Sequence, residues 1–179
     1  MRNDMKTALA EAVQTFRLPR YDQLPNMGLY LEQITKYINQ CLAPLGCFEV
    51  TGSMIRNYVK MGLVNNPAHK MYYADQIAHL ICVTILKTVL PLEHVSRMFT
   101  MQRKIYTDET AYDYFCMELE NILHHRFGIK ETLEDIGVTE SMEKEMLRSA
   151  ITAVSHTIFL NACLSRLAQA QTNDGKTEA

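Results

Sequence analysis

The stretch Tyr73–Val89, Y-A-D-Q-I-A-H-L-I-C-V-T-I-L-K-T-V, decides the fold. Apolar side chains lie nearly all round its second half, which predicts a helix at the centre of the molecule rather than on its surface. The uncharged run Gln76–Leu86 is 11 residues long. A membrane-spanning helix needs about 20, so the run reads as a core helix and no membrane segment is expected.

Working outward, both flanks read as helix. Downstream, Pro91 suits the first turn of a helix over about 91–104. Asp108–Phe127 follows, with Tyr112, Phe115, Leu119, Ile122 and Leu123 as its apolar face and Gly128 as its stop. Thr139–Gln171 carries Met142, Met146, Leu147, Ile151, Val154, Ile158 and Leu164 at helical spacing. Residues 172–179 are polar and are expected to fray. Upstream, Leu29–Leu42 has helical period through Leu31, Ile34, Ile38 and Leu42 and ends at Pro44 and Gly46. Residues 4–16 read as a short amphipathic helix through Met5, Leu9, Val13 and Phe16, with Pro19 and Pro25 breaking the chain after it. Strand alternation is absent apart from candidate wing strands within 63–73. The expectation is an all-α protein.

The bulk composition agrees. In 179 residues, 47% are apolar, 21% are charged and only 7 are glycine, which excludes disordered, collagen-like and low-complexity chains. Eleven methionines fit helices and adaptable core packing. The five cysteines, at 41, 47, 82, 116 and 163, lie in apolar surroundings without a C-x-x-C pair, so they read as free buried thiols in a reducing compartment. No apolar signal core opens the chain, and a cytoplasmic protein is expected. Charge is uneven. Residues 1–105 carry a net +5, residues 106–145 a net −8, and residues 146–179 a net +1. The first part suits an anionic partner and the middle does not.

One constellation has functional content: T-G-S-M-I-R-N-Y-V-K-M-G-L, Thr51–Leu63. Thr51 is a candidate N-cap and Gly62 a candidate left-handed C-cap. On a helix, Met54, Ile55, Tyr58, Val59 and Met61 fall largely on an inward side. Ser53, Arg56, Asn57 and Lys60 follow i, i+3, i+4, i+7 and share the opposite face. No acidic residue occurs between residues 50 and 74. Such a face offers what a major groove selects: Arg donates twice to guanine, Asn pairs with adenine, and Lys or Ser reaches phosphate. A solvated helix face is the alternative reading. Asn65, Asn66 and Pro67 then mark a turn or small wing.

These residues carry a resemblance. Arg56-Asn57-Tyr58-Val59-Lys60-Met61-Gly62-Leu63-Val64, then Pro67 and Tyr72-Tyr73, resembles the MerR-type DNA-binding domain, and Leu90-Pro91-Leu92-Glu93-His94-Val95 is similar to a later segment of it. The likeness covers about residues 29–105. It implies a winged helix-turn-helix in which Arg56, Tyr58 and Lys60 lie on or beside the DNA-contacting face and Tyr73 belongs to the wing. Lys70 is the basic residue nearest the wing's expected arginine, whose place Met71 takes. A closer resemblance is to an uncharacterised Firmicute domain-of-unknown-function family over about residues 17–125. It rests on Leu18-Pro19-x-Tyr21, Leu24-Pro25, Leu29-Tyr30-Leu31-Glu32-Gln33, Met54-Ile55-x-Asn57-Tyr58-Val59-Lys60 and Ala111-Tyr112-Asp113-Tyr114-Phe115. Its only implied biochemistry is a helix-turn-helix.

Other chemistry is thin. Glu120 with His124 and His125 has the spacing of metal ligands on one helix face, but a polar helix end suits them better. Cys116 or Cys163 with His156 shows nothing that lowers a thiol pKa. No glycine loop for phosphate occurs. Tyr106, Tyr112, Tyr114 and Phe115 read as packing between helices, with the wall of a ligand pocket as the alternative. The expectation is therefore a non-enzymatic, cofactor-free, homodimeric regulator of duplex DNA. Residues 1–16 form a leading helix and 17–105 a MerR-like unit. Residues 106–171 form a helical dimerisation or effector region whose spare face is Ile151, Ile158 and Leu164. DNA contacts fall to Ser53, Arg56, Asn57, Tyr58, Lys60, Lys70 and Tyr73. The alternative is a helical interaction module of the same shape that binds protein.

Overall fold

The computed structural model describes residues 7, 9–11, 13–137 and 140–177, the residues from 170 onward by backbone alone. It is 65% helix and 3% strand. Six helices follow the leading segment: α1 (Leu31–Leu42), α2 (Gly52–Lys60), α3 (Ala74–Leu86), α4 (Leu92–Gln102), α5 (Asp108–Arg126) and α6 (Met142–Thr177). Two strands, β1 (Leu29–Tyr30) and β2 (Met71–Tyr72), pair antiparallel, with Leu29 opposite Tyr72 and Tyr30 opposite Met71.

The expected central helix is central. Every residue of α3 from Gln76 to Leu86 is buried, and α3 touches α1, α4, α5 and α6. Its start is fixed locally: the Tyr73 backbone N–H donates to Gln76 Oε1 at 2.7 Å. The same i, i+3 device opens α1, where the Tyr30 N–H donates to Gln33 Oε1 at 2.8 Å. In both, the glutamine side chain reaches back to the N-cap amide, half of a capping box. From α1, the Asn39 side chain clamps Val50, in the loop before α2, twice. Nδ2 donates to the Val50 carbonyl at 2.9 Å and Oδ1 accepts its N–H at 2.8 Å.

Four expectations need correction. Leu29 and Tyr30 are strand, not the first turn of α1, because they pair with β2. The wing has no strand at 63–64. Leu63 and Val64 are buried loop residues, and the wing is β2 plus a single bridge from Ala68 to Met71. Helix α6 runs through residues 172–177, which were expected to fray. Ile151 and Ile158 are buried within the chain, since α3, α4 and α5 all reach α6; only Leu164 of the expected spare face is exposed. Residues 4–6, 8 and 12 of the leading helix lie outside the described residues. Residues 7, 9–11, 13 and 14 are helical, and Leu9, Val13 and Phe16 are buried.

The segment after the leading helix is strapped to α5. Arg20 meets Glu120 through two hydrogen bonds, Nη1 to Oε1 at 2.9 Å and Nη2 to Oε2 at 2.7 Å. The Leu18 N–H adds a third, to Glu120 Oε1 at 3.0 Å. A two-pronged guanidinium–carboxylate pair is strong and directional. On the other side of α5, Arg148 reaches buried Glu118 at 3.0 Å and Asp135 at 2.7 Å. Burial raises the Glu118 carboxyl above its ordinary pKa, an effect that Arg148 opposes.

Candidate nucleic-acid interface

Helix α2 is built from local chemistry. Thr51 Oγ1 accepts the Met54 N–H at 3.3 Å, and Gly62 sits at φ +73°, which a glycine adopts without steric cost. Its inward side is Ile55 and Tyr58, both buried, with Met54 and Val59 half-buried. Met61 is 49% exposed rather than inward, because it is the C-cap where the chain turns away.

The outward side holds Ser53, Arg56, Asn57 and Lys60, all exposed. Ser53 shares a hydrogen bond with Thr51 at 2.9 Å. Asn57 Nδ2 reaches only the weak acceptor Met61 Sδ, at 3.5 Å. Among the described residues no carboxylate pairs with Arg56, Lys60 or Lys70. Arg56 and Lys60 therefore present charges free of ion pairs among the described residues, while Ser53 and Asn57 are engaged only within α2 and its cap.

Lys70 lies in the turn that leads into β2. His69 and Lys70 have φ of +51° and +65°. This tight reversal, closed by mutual hydrogen bonds between Ala68 and Met71, holds both side chains exposed. Arg56 and the wing share an electrostatic neighbourhood. Burial raises the Tyr72 phenol pKa, and the Arg56 charge lowers it in part.

Two expected members stand apart from the face. Tyr58 is 3% exposed and belongs to the core, with Lys87 Nζ 5.8 Å from its ring centroid. It supports α2 from beneath and offers no surface. Tyr73 is half-buried at the α3 cap, where Gly28 admits it closely: a Cβ on Gly28 would lie 3.0 Å from the Tyr73 ring and 2.7 Å from Met71 Cβ. The sequence reading missed exposed Tyr30, which lies opposite Met71 beside the wing turn. A single two-residue strand carries no period that would have revealed it.

The weaker chemistries are also placed. Glu120 is taken by Arg20, and His124 Nε2 lies 2.9 Å from Arg17 Nη1. Burial, then the Arg17 charge, lowers the His124 pKa. Among the described residues no three His, Cys, Asp or Glu side chains are grouped as metal ligands would be. All five cysteines are free thiols. Burial raises the pKa of Cys41, Cys47 and Cys82 and pushes Cys116 up to about 12, the reverse of an activated nucleophile. No helix among the described residues is long and apolar enough to cross a membrane.

Fold and face together define a mostly helical protein with one exposed basic helix beside a small turn. The chain belongs to the family described as Domain of unknown function (DUF1836), whose model matches residues 19–115. That span takes in α1 to α4, the wing and the first part of α5. No curated protein and no solved structure matches the chain.

Proposed function

We propose that the unit from 17 to 105 is a MerR-like helix-turn-helix, and that the protein is a cytoplasmic, non-enzymatic regulator that binds specific duplex DNA. In this reading α1 packs behind α2 and α2 enters the major groove. Arg56 and Asn57 read base edges, Ser53 and Lys60 approach the backbone, and Lys70 on the wing turn meets a neighbouring phosphate. One observation carries the reading: the outward face of α2 is exposed, polar and basic, and among the described residues no carboxylate neutralises Arg56 or Lys60. Selection from a random duplex pool tests it. The wild-type protein should enrich a defined sequence, and a pool that stays random would contradict the proposal.

Such units commonly bind as two-fold dimers on paired half-sites. Helix α6 has 36 residues, about 54 Å, whereas its neighbour α5 has 19, about 28 Å. On the outer side of α6, while Phe159, Ala162 and Cys163 pack against the core, Leu160, Leu164 and Leu167 are 58%, 62% and 49% exposed. Their four-three spacing is that of a coiled-coil seam. A second copy of α6 is the occupant this spacing fits. A light-scattering mass of twice 20.6 kDa is expected, and 20.6 kDa at micromolar concentration overturns the dimer.

The interaction-module reading draws on exposed Met27, Tyr30 and Met61, residue types enriched at protein–protein interfaces. It predicts that no duplex sequence is enriched.

A further inference from the structure

We propose that the cavity between α3, α4, α5 and the start of α6 is a binding site for a compact, uncharged, apolar molecule of up to about nine carbons. The cavity measures about 240 Å³. Protein interiors hold few voids larger than a water molecule. An apolar cavity of about 150 Å³ takes up benzene, about 25 Å³ for each carbon, and this scale sets the limit of about nine. Leu86, Met98, Phe99, Phe115, Met146 and Leu147 form much of the wall. Such a wall offers dispersion contacts to apolar bulk, and its methionines adapt to the shape of a guest.

The polar groups around the cavity are turned away or already committed. Gln102 Nε2, Asp108 Oδ1 and the Tyr112 and Tyr114 hydroxyls are sealed within the protein and offer a guest nothing. His79 uses both ring nitrogens: Nδ1 lies 2.7 Å from the Asp75 carbonyl and Nε2 3.2 Å from Arg103 Nη2. Lys144 Nζ donates to Asp135 Oδ1 and to the Gly137 carbonyl, each at 3.0 Å. Thr110 Oγ1 accepts from the Thr107 hydroxyl at 2.9 Å. Glu143 is partly exposed to water. A hydroxyl, ammonium or carboxylate on the guest therefore gives up its hydration without gaining a buried partner, and a hydrocarbon has none to give up.

The wall is drawn from both halves of the chain, α3 and α4 before residue 105 and α5 and α6 after it. A guest packs these halves against one another and restores contacts that a cavity of this size forgoes. The site is independent of the DNA reading, because no residue of the outward face of α2 lines it.

The full-length protein is titrated with ethylbenzene, para-ethylphenol, phenylacetate and phenethylammonium, and its methionine methyl resonances are followed by NMR. Ethylbenzene should bind saturably, one to one. It should shift the methyls of Met98 and Met146 and leave that of Met27, which is 76% exposed and not part of the wall, in place. Para-ethylphenol should bind about tenfold more weakly, and neither ion should saturate. Ala111 lines the cavity from α5. Ala111→Leu narrows the space and should weaken ethylbenzene by about tenfold. The wild-type titrations stand whether or not that variant folds. The proposal is overturned by the absence of saturable ethylbenzene binding, or by an ion or para-ethylphenol binding as tightly as ethylbenzene. It is equally overturned by shifts that spare both Met98 and Met146, or by unchanged affinity in Ala111→Leu.

Discussion

Helices α2 and α3 follow one another across the wing, yet they meet their surroundings in opposite ways. In α3 eleven consecutive residues are buried, including the polar Gln76, His79 and Thr84. In α2 only Ile55 and Tyr58 are buried, and Ser53, Arg56, Asn57 and Lys60 are exposed. A helix covered all round is held by its neighbours and has no surface left for recognition. A helix covered on one stripe has a rigid back and a free front. The difference gives α3 the structural support and leaves α2 the surface on which the proposed recognition would act, and substitutions in the two should fail in different assays.

The largest effect should come from α3. Ile81 is fully buried. Ile81→Asp places an unpaired charge in the core and should cost at least ~4 kcal/mol in denaturant unfolding. A loss below 1 kcal/mol would break the account of α3 as the centre of the core.

Next is the strap to α5. Glu120 accepts three hydrogen bonds from Arg20 and the Leu18 N–H. Glu120→Ala leaves Arg20 partly buried and unpaired, and should cost about 3 kcal/mol. It should also expose the Leu18 amide to hydrogen exchange, while DNA affinity at temperatures where the protein stays folded is unchanged. An unaltered Leu18 exchange rate would show that the strap does not hold this segment.

A smaller effect is a pH dependence to which His79 of α3 contributes beside His124 of α5. Burial lowers the His79 pKa below its ordinary value of 6.5, with Asp108 opposing and Arg103 adding to the shift. The unfolded chain then binds the proton more readily than the folded one. The stability from neutral His79 is complete above 6.5 and is lost as pH falls from 6.5 toward the depressed value. The wild-type thermal midpoint should fall across that window, and His79→Gln should fall less steeply. Identical slopes would remove His79 from the explanation.

What was legible in the sequence divides along the same line. Thr51, Gly62, Gly128 and the run through Leu86 were legible because caps and periodicity are local. The exposure of Ser53, Arg56, Asn57 and Lys60 followed from their spacing. The pairing of Leu29–Tyr30 with Met71–Tyr72 was not legible, because two-residue strands have no period and their partners are about 40 residues apart. Ile151 and Ile158 were misread as a spare face because α5 alone seemed too short to cover α6. The contribution of α3 and α4 to that cover is a tertiary fact. Tyr58 matched a recognition pattern by position, but its place beside Ile55 on the apolar stripe put it in the core. Tyr114 and Phe115 were read as packing. They do pack, around a cavity whose size no sequence reports.

The central claim is that the outward face of α2 contacts DNA, and Arg56 tests it most directly. Arg56 is exposed, so Arg56→Ala should change stability by no more than about 0.5 kcal/mol. Binding to an enriched duplex should be measured for both proteins across a salt series. The account predicts weaker binding by Arg56→Ala: about 1–3 kcal/mol with relaxed preference at one base pair if Arg56 reads a base, or a uniform loss with a salt slope lower by about one if it holds a phosphate. Identical affinity and identical salt slope in the two proteins would contradict it.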